Sequence, residues 1–294
     1  MDCLTKLLAA FLVISILGWV LYLIGFPSPY IDSANDDLGY SYENHFIFMI
    51  DDRWDAMIIP RFNSIFLEPG HLGTLTSLFL MNQLGKWKKW YNIVLLITTL
   101  LTFSLAAYVL LPIIALMGAW AKGKRIIIAI ISIIVVIVSI GIGALFYNDG
   151  DNLVNNLIMA RLEISDDGKL EGDNRVTDSF DAEYQSFLSS SDLLTGREYS
   201  MEKFGFGNSG YRVFLYDNGL IALLLVALFY LSLAVSSRQQ NKRVILTMLT
   251  VTLLTFIIRS APLAYNYFIP LYAFLCTGFS SHEVDKQLSP KEES

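Results

Sequence analysis

The chain has 294 residues, of which 54% are hydrophobic and only 16% are charged, and its mean hydropathy is +0.50. Soluble globular domains carry about 25% charged residues, so this composition excludes an ordinary soluble domain. The net charge is −6, and we expect no nucleic-acid partner.

Long uncharged segments indicate an integral membrane protein. Apolar runs occupy residues 7–26, 72–84, 90–121, 126–147, 219–237, 244–258 and 262–280. Most approach the roughly 20 residues that a helix needs to cross a bilayer, and aperiodic apolarity at that length excludes a transmembrane barrel. We therefore predict an all-α membrane protein and interpret the first run as a retained helix.

The run at residues 90–121 is too long for one straight pass. Its 32 residues would form a helix of about 48 Å, against a hydrocarbon core of about 30 Å. We predict two short passes that turn near residues 102–104, with a re-entrant hairpin as the alternative. Counting two passes gives about eight transmembrane helices.

Lysines and arginines in the short connections set the predicted orientation. They are Lys6, Lys86, Lys88, Lys89, Lys122, Lys124, Arg125, Arg238, Lys242 and Arg243. The positive-inside rule assigns them to the cytoplasm. The predicted membrane domain covers residues 1–280, with outer loops at 27–66 and 148–208 and a cytoplasmic tail at 281–294.

The outer loops contain the other predicted local structures. Residues 148–207 hold 13 acidic and 5 basic residues, a net charge of −8, and are too poor in apolar clusters to fold alone. Residues 153–164 have helical spacing that predicts a surface helix carrying Arg161. In the first loop, residues 45–50 and 53–59 flank an Asp-Asp pair and predict a hairpin.

Residues 61–71 read Arg-Phe-Asn-Ser-Ile-Phe-Leu-Glu-Pro-Gly-His, where a polar loop meets an apolar helix. Ionisable groups near hydrocarbon are costly and usually face a partner, a cavity or a substrate. If a helix begins at Pro69, Glu68 and His71 share one face and can reach one substrate oxygen or each other. The alternative is that Glu68 caps the helix, with Pro69 in its first position.

A second motif follows the large loop. Residues 206–225 read Phe-Gly-Asn-Ser-Gly-Tyr-Arg-Val-Phe-Leu-Tyr-Asp-Asn-Gly-Leu-Ile-Ala-Leu-Leu-Leu, which resembles the closing motif of bacterial O-antigen polymerases and ligases. The earlier Arg-Phe-x-x-Ile-Phe-x-Glu-Pro-Gly-x-Leu-Gly resembles the pattern at the matching place in that family. Their order, and the loop between them, extend the resemblance over roughly residues 40–280.

The resemblance implies a GT-C-like glycosyltransferase on the outer face of the bacterial inner membrane. Its donor would be an oligosaccharide on polyprenyl pyrophosphate, and its acceptor another lipid-linked repeat unit or, in a ligase, a lipid core sugar. A flippase and a chain-length regulator would be partners beside membrane lipid. Ligases carry a histidine where this chain has Gly207-Asn-Ser-Gly-Tyr, a difference that favours a polymerase.

The resemblance also implies roles for single residues. Arg61 and Arg175 match the arginines that hold the pyrophosphate, so neither a metal nor another cofactor is expected. The chemistry of the residues themselves, and not the resemblance, predicts Glu68 as the base, with His71 beside it. The expected substrate-binding residues are Arg161, Arg212, Arg259, Asn208 and Tyr211.

Other interpretations of these side chains remain open. Arg161 and Arg175 could neutralise neighbouring acids, while Arg212 and Arg259 could extend towards lipid headgroups. Tyr265, Tyr267 and Tyr272 are predicted to form an interfacial belt. At the level of the whole protein, a lipid-linked glycan transporter or a non-enzymatic assembly partner would also be polytopic, although transporters typically show repeat symmetry.

Overall fold

The computed structural model describes residues 1–35, 40–51, 59–84, 86–121, 177–197, 199–205, 208, 210–237, 241–261 and 263–277. The described part is mostly helical. Its helices are α1 (Asp2–Leu23), α2 (Pro69–Asn82), α3 (Trp90–Leu101), α4 (Leu105–Ala121), α5 (Asp178–Leu188), α6 (Ser200–Phe204), α7 (Tyr211–Ser236), α8 (Lys242–Ile258) and α9 (Tyr265–Thr277). Its strands are β1 (Ile31–Asn35), β2 (Tyr40–Asn44) and β3 (Met49–Asp51).

Two described helices, α1 and α7, are long and apolar enough to cross a membrane. The prediction of eight spans with a GT-C-like architecture finds no support among the described residues. The runs at 72–84, 244–258 and 262–280 form helices of 14, 17 and 13 residues, which are shorter than the roughly 20 needed for a straight pass. The run at 126–147 lies outside the described residues.

Helix α2 is the centre of the packed helices and contacts α3, α4 and α9. Every residue from Leu72 to Met81 is buried, so this stretch of the helix has no exposed side. Its buried hydroxyls are satisfied within the helix, since those of Thr74 and Ser77 donate to carbonyls one turn back at 2.8 and 2.7 Å. Local hydrogen bonds of this kind allow a helix that contains threonine and serine to be buried on all sides.

The predicted turn inside residues 90–121 is confirmed. Helix α3 ends at Leu101 and α4 begins at Leu105, with Phe103 at a φ of 45° between them. Two helices of 12 and 17 residues span about 18 and 26 Å. Whether they cross the bilayer or form a re-entrant hairpin stays a prediction.

The first outer loop contains an antiparallel sheet in the order β1-β2-β3, so the expectation of an all-α fold was incomplete. The predicted hairpin between residues 45–50 and 53–59 falls largely outside the described residues. In the described part, Asp51 pairs with Tyr42 inside the sheet, and residues 45–48, predicted as part of a strand, connect β2 to β3. His45 is buried in that connection and stacks on Phe48 at 4.4 Å. Residues 52–58 lie outside the described part.

Contacts between helix ends give the bundle two chemically different ends. At one end, Lys86 pairs with Asp2 at 3.2 Å, and Arg243 donates to the carbonyl of Trp120 at 3.1 Å. The helices that begin or end there place Lys86, Lys88, Lys89, Lys242 and Arg243 at the same end. The opposite end holds the start of α2, the α3–α4 turn and the start of α9. This arrangement is compatible with the predicted orientation, which stays a prediction.

The described second half of the large outer loop packs on the start of α7. Phe180 and Phe187 of α5 form one buried cluster with Tyr216 of α7. Close backbone contact joins Gly196 of the loop to Gly219, where φ is 76° and α7 is broken. This part of the loop therefore shares its core with a candidate spanning helix, as expected for a segment that does not fold alone.

Candidate functional site

Glu68 stands at the start of α2, as the sequence predicted. Pro69 occupies the first turn, and Glu68 is the N-cap residue with an extended backbone. Its side chain makes no capping hydrogen bond, so the capping alternative fails. Instead, Oε2 accepts a hydrogen bond from Arg259 Nη1 at 3.0 Å and lies 3.6 Å from His71 Nε2. The predicted proximity of Glu68 and His71 is thus confirmed.

Arg259 reaches Glu68 because α8 ends at the same place. The chain leaves the helix there with an extended backbone, and the Arg259 side chain lies across the first turn of α2. A Cβ at Gly70 would stand only 2.2 Å from Arg259 Nη2, so a glycine is needed beneath the guanidinium. The arginine side chain is 12% exposed, whereas that of Glu68 is 46% exposed. A largely buried cation therefore orients a carboxylate that remains accessible.

His71 joins this pair to a third helix. Its Nδ1 lies 2.5 Å from the hydroxyl oxygen of Tyr267 in α9. A neutral imidazole has one donor and one acceptor nitrogen. If the Tyr267 hydroxyl donates to Nδ1, the proton on Nε2 faces Glu68. Each of the four side chains then has a donor opposite an acceptor. A guanidinium, a carboxylate, an imidazole and a phenol thus form one connected polar cluster, which we call the Glu68 cluster.

The role predicted for Tyr267 was wrong. It was expected in an interfacial belt, but its side chain is buried and contacts His71. Tyr272 is 45% exposed, as a belt residue would be, and the side chain of Tyr265 lies outside the described part. A tyrosine near the start of an apolar helix has the same sequence context in both roles, so the sequence held no signal that separates them.

Arg61 lies at the same end of the bundle, where it is bound to the α3–α4 turn. Its Nε donates to the carbonyl of Thr102 at 3.0 Å. Thr102 Oγ1 would be 2.9 Å from a Cβ placed on Gly73, so this turn packs directly on the first turns of α2. The next residue, Phe62, is fully buried and packs edge-on against Trp19 of α1 at 5.4 Å. Arg61 is therefore anchored beside the helix that carries Glu68 and His71.

The remaining predicted site residues divide into two groups. Arg161 and Arg175 lie outside the described residues, so the proposed convergence of Arg61 with Arg175 stays a prediction. Arg212 pairs with Asp181 of α5 at 3.1 Å, and Asn208 Oδ1 accepts from the Thr177 amide at 2.7 Å. These two residues connect the large loop to α7 and are not in contact with the Glu68 cluster in any described interaction. Tyr211 is 40% exposed.

A cavity of about 400 Å³ opens between the large loop, α7 and the α8–α9 connection. Its lining residues are Tyr199, Ser200, Gly205, Asn208, Val213, Phe214, Asp217, Asn218, Ser260, Ala261, Leu263 and Ala264. Ser260, which lines one wall, follows Arg259 directly in the chain. Sequence reasoning found Asn208 but missed the cavity, because its walls come from distant segments.

No metal centre is visible in the part of the chain that the structure describes. There, no group of three or more histidine, cysteine, aspartate or glutamate side chains could hold a metal ion. The Glu68 cluster itself offers a guanidinium, an accessible carboxylate, an imidazole and a phenol.

No protein-family model, curated protein or solved structure matches the chain. The motif resemblance and the contacts of the described residues therefore carry the functional assignment.

Proposed function

We propose that this chain is a membrane glycosyltransferase that polymerises a glycan carried on polyprenyl pyrophosphate. It would work on the extracytoplasmic face of a bacterial inner membrane, within a GT-C-like architecture of about eight spans. The observation that carries the proposal is the Glu68 cluster, in which an accessible carboxylate is held by a buried arginine beside an imidazole. The arrangement supports proton transfer at the end of the bundle opposite the one that holds Lys86 and Arg243.

In the proposed reaction, a hydroxyl oxygen of the acceptor sugar attacks C1 of the donor sugar. The bond from C1 to the pyrophosphate oxygen breaks, and its electron pair leaves with the pyrophosphate. The hydroxyl proton passes to Glu68, which His71 and Arg259 orient. Arg61 and Arg175 bind the pyrophosphate and stabilise the charge that grows as it leaves.

The contacts change the role that we assign to Arg259. The sequence suggested an extension of the anion-binding surface, but Nη1 is engaged with Glu68. We therefore assign Arg259 to positioning the carboxylate. The Arg259 charge also favours the ionised form of Glu68, which keeps the carboxylate able to accept the proton but weakens it as a base.

The test is glycan production in a deletion strain complemented with variants of the full chain. Arg61→Ala and Arg175→Ala should each abolish polymer while the protein still inserts and accumulates, because the loss of an anion partner in the transition state lowers the rate and not the folded population. Glycan ladders on a gel measure the polymer. Arg197→Ala is the matched control, since Arg197 pairs with Glu183 and Asp192 within the large loop.

Normal ladder length and amount in both Arg61→Ala and Arg175→Ala would refute the site assignment. The glycolipid that accumulates in the deletion strain separates the alternatives. A polymerase defect leaves single repeat units that can still reach the lipid core, whereas a ligase defect leaves polymer on the polyprenyl carrier. A transporter defect leaves repeat units on the cytoplasmic face.

A further inference from the structure

We propose that the cavity beside the Glu68 cluster binds one uncharged sugar residue of the glycan. The inference rests on the proposed function for its biological meaning, but binding itself can be measured separately. The cavity has a volume of about 400 Å³, within the usual range of about 300–1,000 Å³ for small-molecule sites. Its walls come from the large loop, α7 and the α8–α9 connection, so occupancy requires these segments together.

The chemistry of the walls fits sugar hydroxyls. Side chains of Asn208, Asn218 and Ser260 offer amide and hydroxyl groups that both donate and accept hydrogen bonds. Apolar surface from Val213, Phe214 and Leu263 faces the same space. A pyranose ring presents both hydroxyl groups and apolar C–H surface. Walls that combine polar and apolar side chains can therefore contact both parts of the ring.

Two wall residues are fixed in position by the backbone of the loop. Asp217 Oδ1 accepts from the Ser200 amide at 2.7 Å, and Asn208 Oδ1 accepts from the Thr177 amide at 2.7 Å. The second contact uses the oxygen of Asn208 and leaves its Nδ2 buried, without a hydrogen-bond partner among the described residues. A buried amide donor without a partner is costly, so a sugar oxygen that reached this nitrogen after a small adjustment of the lining would stabilise it.

The charges of the lining disfavour a phosphate ligand. No lysine or arginine occurs among the lining residues that the structure describes, and the ionisable acid there is Asp217. A carboxylate repels a phosphate but accepts a hydrogen bond from a sugar hydroxyl. The pyrophosphate of the proposed donor would therefore stay with the arginines outside this cavity.

The position of the cavity links it to the reacting groups. Ser260 lines the wall and is covalently next to Arg259, which holds Glu68. The chain therefore runs directly from the arginine that positions Glu68 into the wall of the cavity, and a sugar bound there would contact a segment continuous with that arginine.

Saturation-transfer NMR on the full chain in detergent tests this site. The probes are glucose, galactose, mannose, N-acetylglucosamine and N-acetylgalactosamine at millimolar concentration, with inorganic pyrophosphate as a charged probe. At least one sugar should bind, and Ala261→Trp should abolish its signal by filling the cavity. Ala227→Trp is the matched control, because Ala227 is on an exposed part of α7 away from the cavity.

A second variant separates ligand contact from folding. Asn208→Asp keeps the oxygen that accepts from the Thr177 amide and replaces the nitrogen donor, so the fold should be retained. Sugar affinity should fall by roughly three- to tenfold, as expected for one lost hydrogen bond.

The proposal is overturned if no sugar of the panel binds, or if Ala261→Trp binds as the unmodified chain does. It is also overturned if pyrophosphate binding is what Ala261→Trp abolishes. Loss of sugar binding in Ala261→Trp, together with normal ladders in Arg61→Ala and Arg175→Ala, would retain the sugar site and reject the proposed catalytic arginines.

Discussion

Gly70→Ala tests the packing that holds the Glu68 cluster together. The new Cβ would lie 2.2 Å from Arg259 Nη2, whereas real Cβ contacts are essentially never below 3.0 Å, so the guanidinium must shift by at least 0.8 Å. Nη1 belongs to the same rigid plane, and the 3.0 Å bond to Glu68 would be lost with that shift.

Two opposing energies decide whether Gly70→Ala lowers or raises the free energy of unfolding. A hydrogen bond to a charged group contributes about 1.5–3 kcal/mol, while alanine is favoured over glycine inside a helix by at most about 1 kcal/mol. We therefore expect Gly70→Ala to lower the free energy of unfolding by about 1–2 kcal/mol. For a chain of this size that corresponds to a decrease of roughly 2–3 °C in Tm.

Thermal unfolding of the full chain in detergent is the assay, performed in two backgrounds. In Arg259→Ala the obstructing guanidinium is absent, so the same Gly70→Ala change should become neutral or stabilising by up to about 1 kcal/mol. A destabilisation of equal size in both backgrounds would refute the packing argument, because the cause would then lie elsewhere in the first turn of α2.

Three further predictions concern other parts of the molecule. Tyr267→Phe should lower the free energy of unfolding by about 1–3 kcal/mol, measured as above, because His71 loses its buried hydroxyl partner; an unchanged Tm would contradict this contact. Gly219→Ala should destabilise the protein more than Gly25→Ala. Both glycines have a positive φ, so alanine costs about 1–2 kcal/mol of strain at either position, but of the two only Gly219 would bring the new Cβ against backbone atoms, at 2.4 Å. Equal losses of stability would argue against the loop contact. Lys203 and Arg197 lower the pKa of Glu183 below its usual 4.5, so its stabilisation is present above that pH and is lost as the pH falls through the lowered value. Proteolysis of residues 177–205 should accelerate below pH 4.5, and Glu183→Gln should remove that part of the pH dependence.

Local structure near the candidate site could be predicted from local sequence. Pro69 begins α2 because its fixed φ and missing amide suit the first helical turn, and Glu68 and His71 meet because residues three apart share a helix face. The turn at residues 102–104 followed from a run too long for the bilayer. Each of these predictions depended on residues close together in the chain.

The first outer loop shows where local patterns mislead. An Asp-Asp pair has the composition of a turn, and it predicted a hairpin there. In the folded chain Asp51 pairs with Tyr42 in the sheet, and a turn that was not predicted forms around the buried His45, while most of the predicted second strand lies outside the described residues. His45 stacks on Phe48 in that turn, a contact that no pattern within the loop indicates.

The sequence by itself determined that the chain is apolar, largely helical and charged at the ends of its helices. Only the tertiary structure decided which charges meet. Glu68 and Arg259 are 191 positions apart, and His71 and Tyr267 are 196 apart, so their contacts depend on how α2, α8 and α9 pack. Side-chain type limits which groups can pair, but helix packing selects the pair, because buried charges and hydroxyls must find partners within reach.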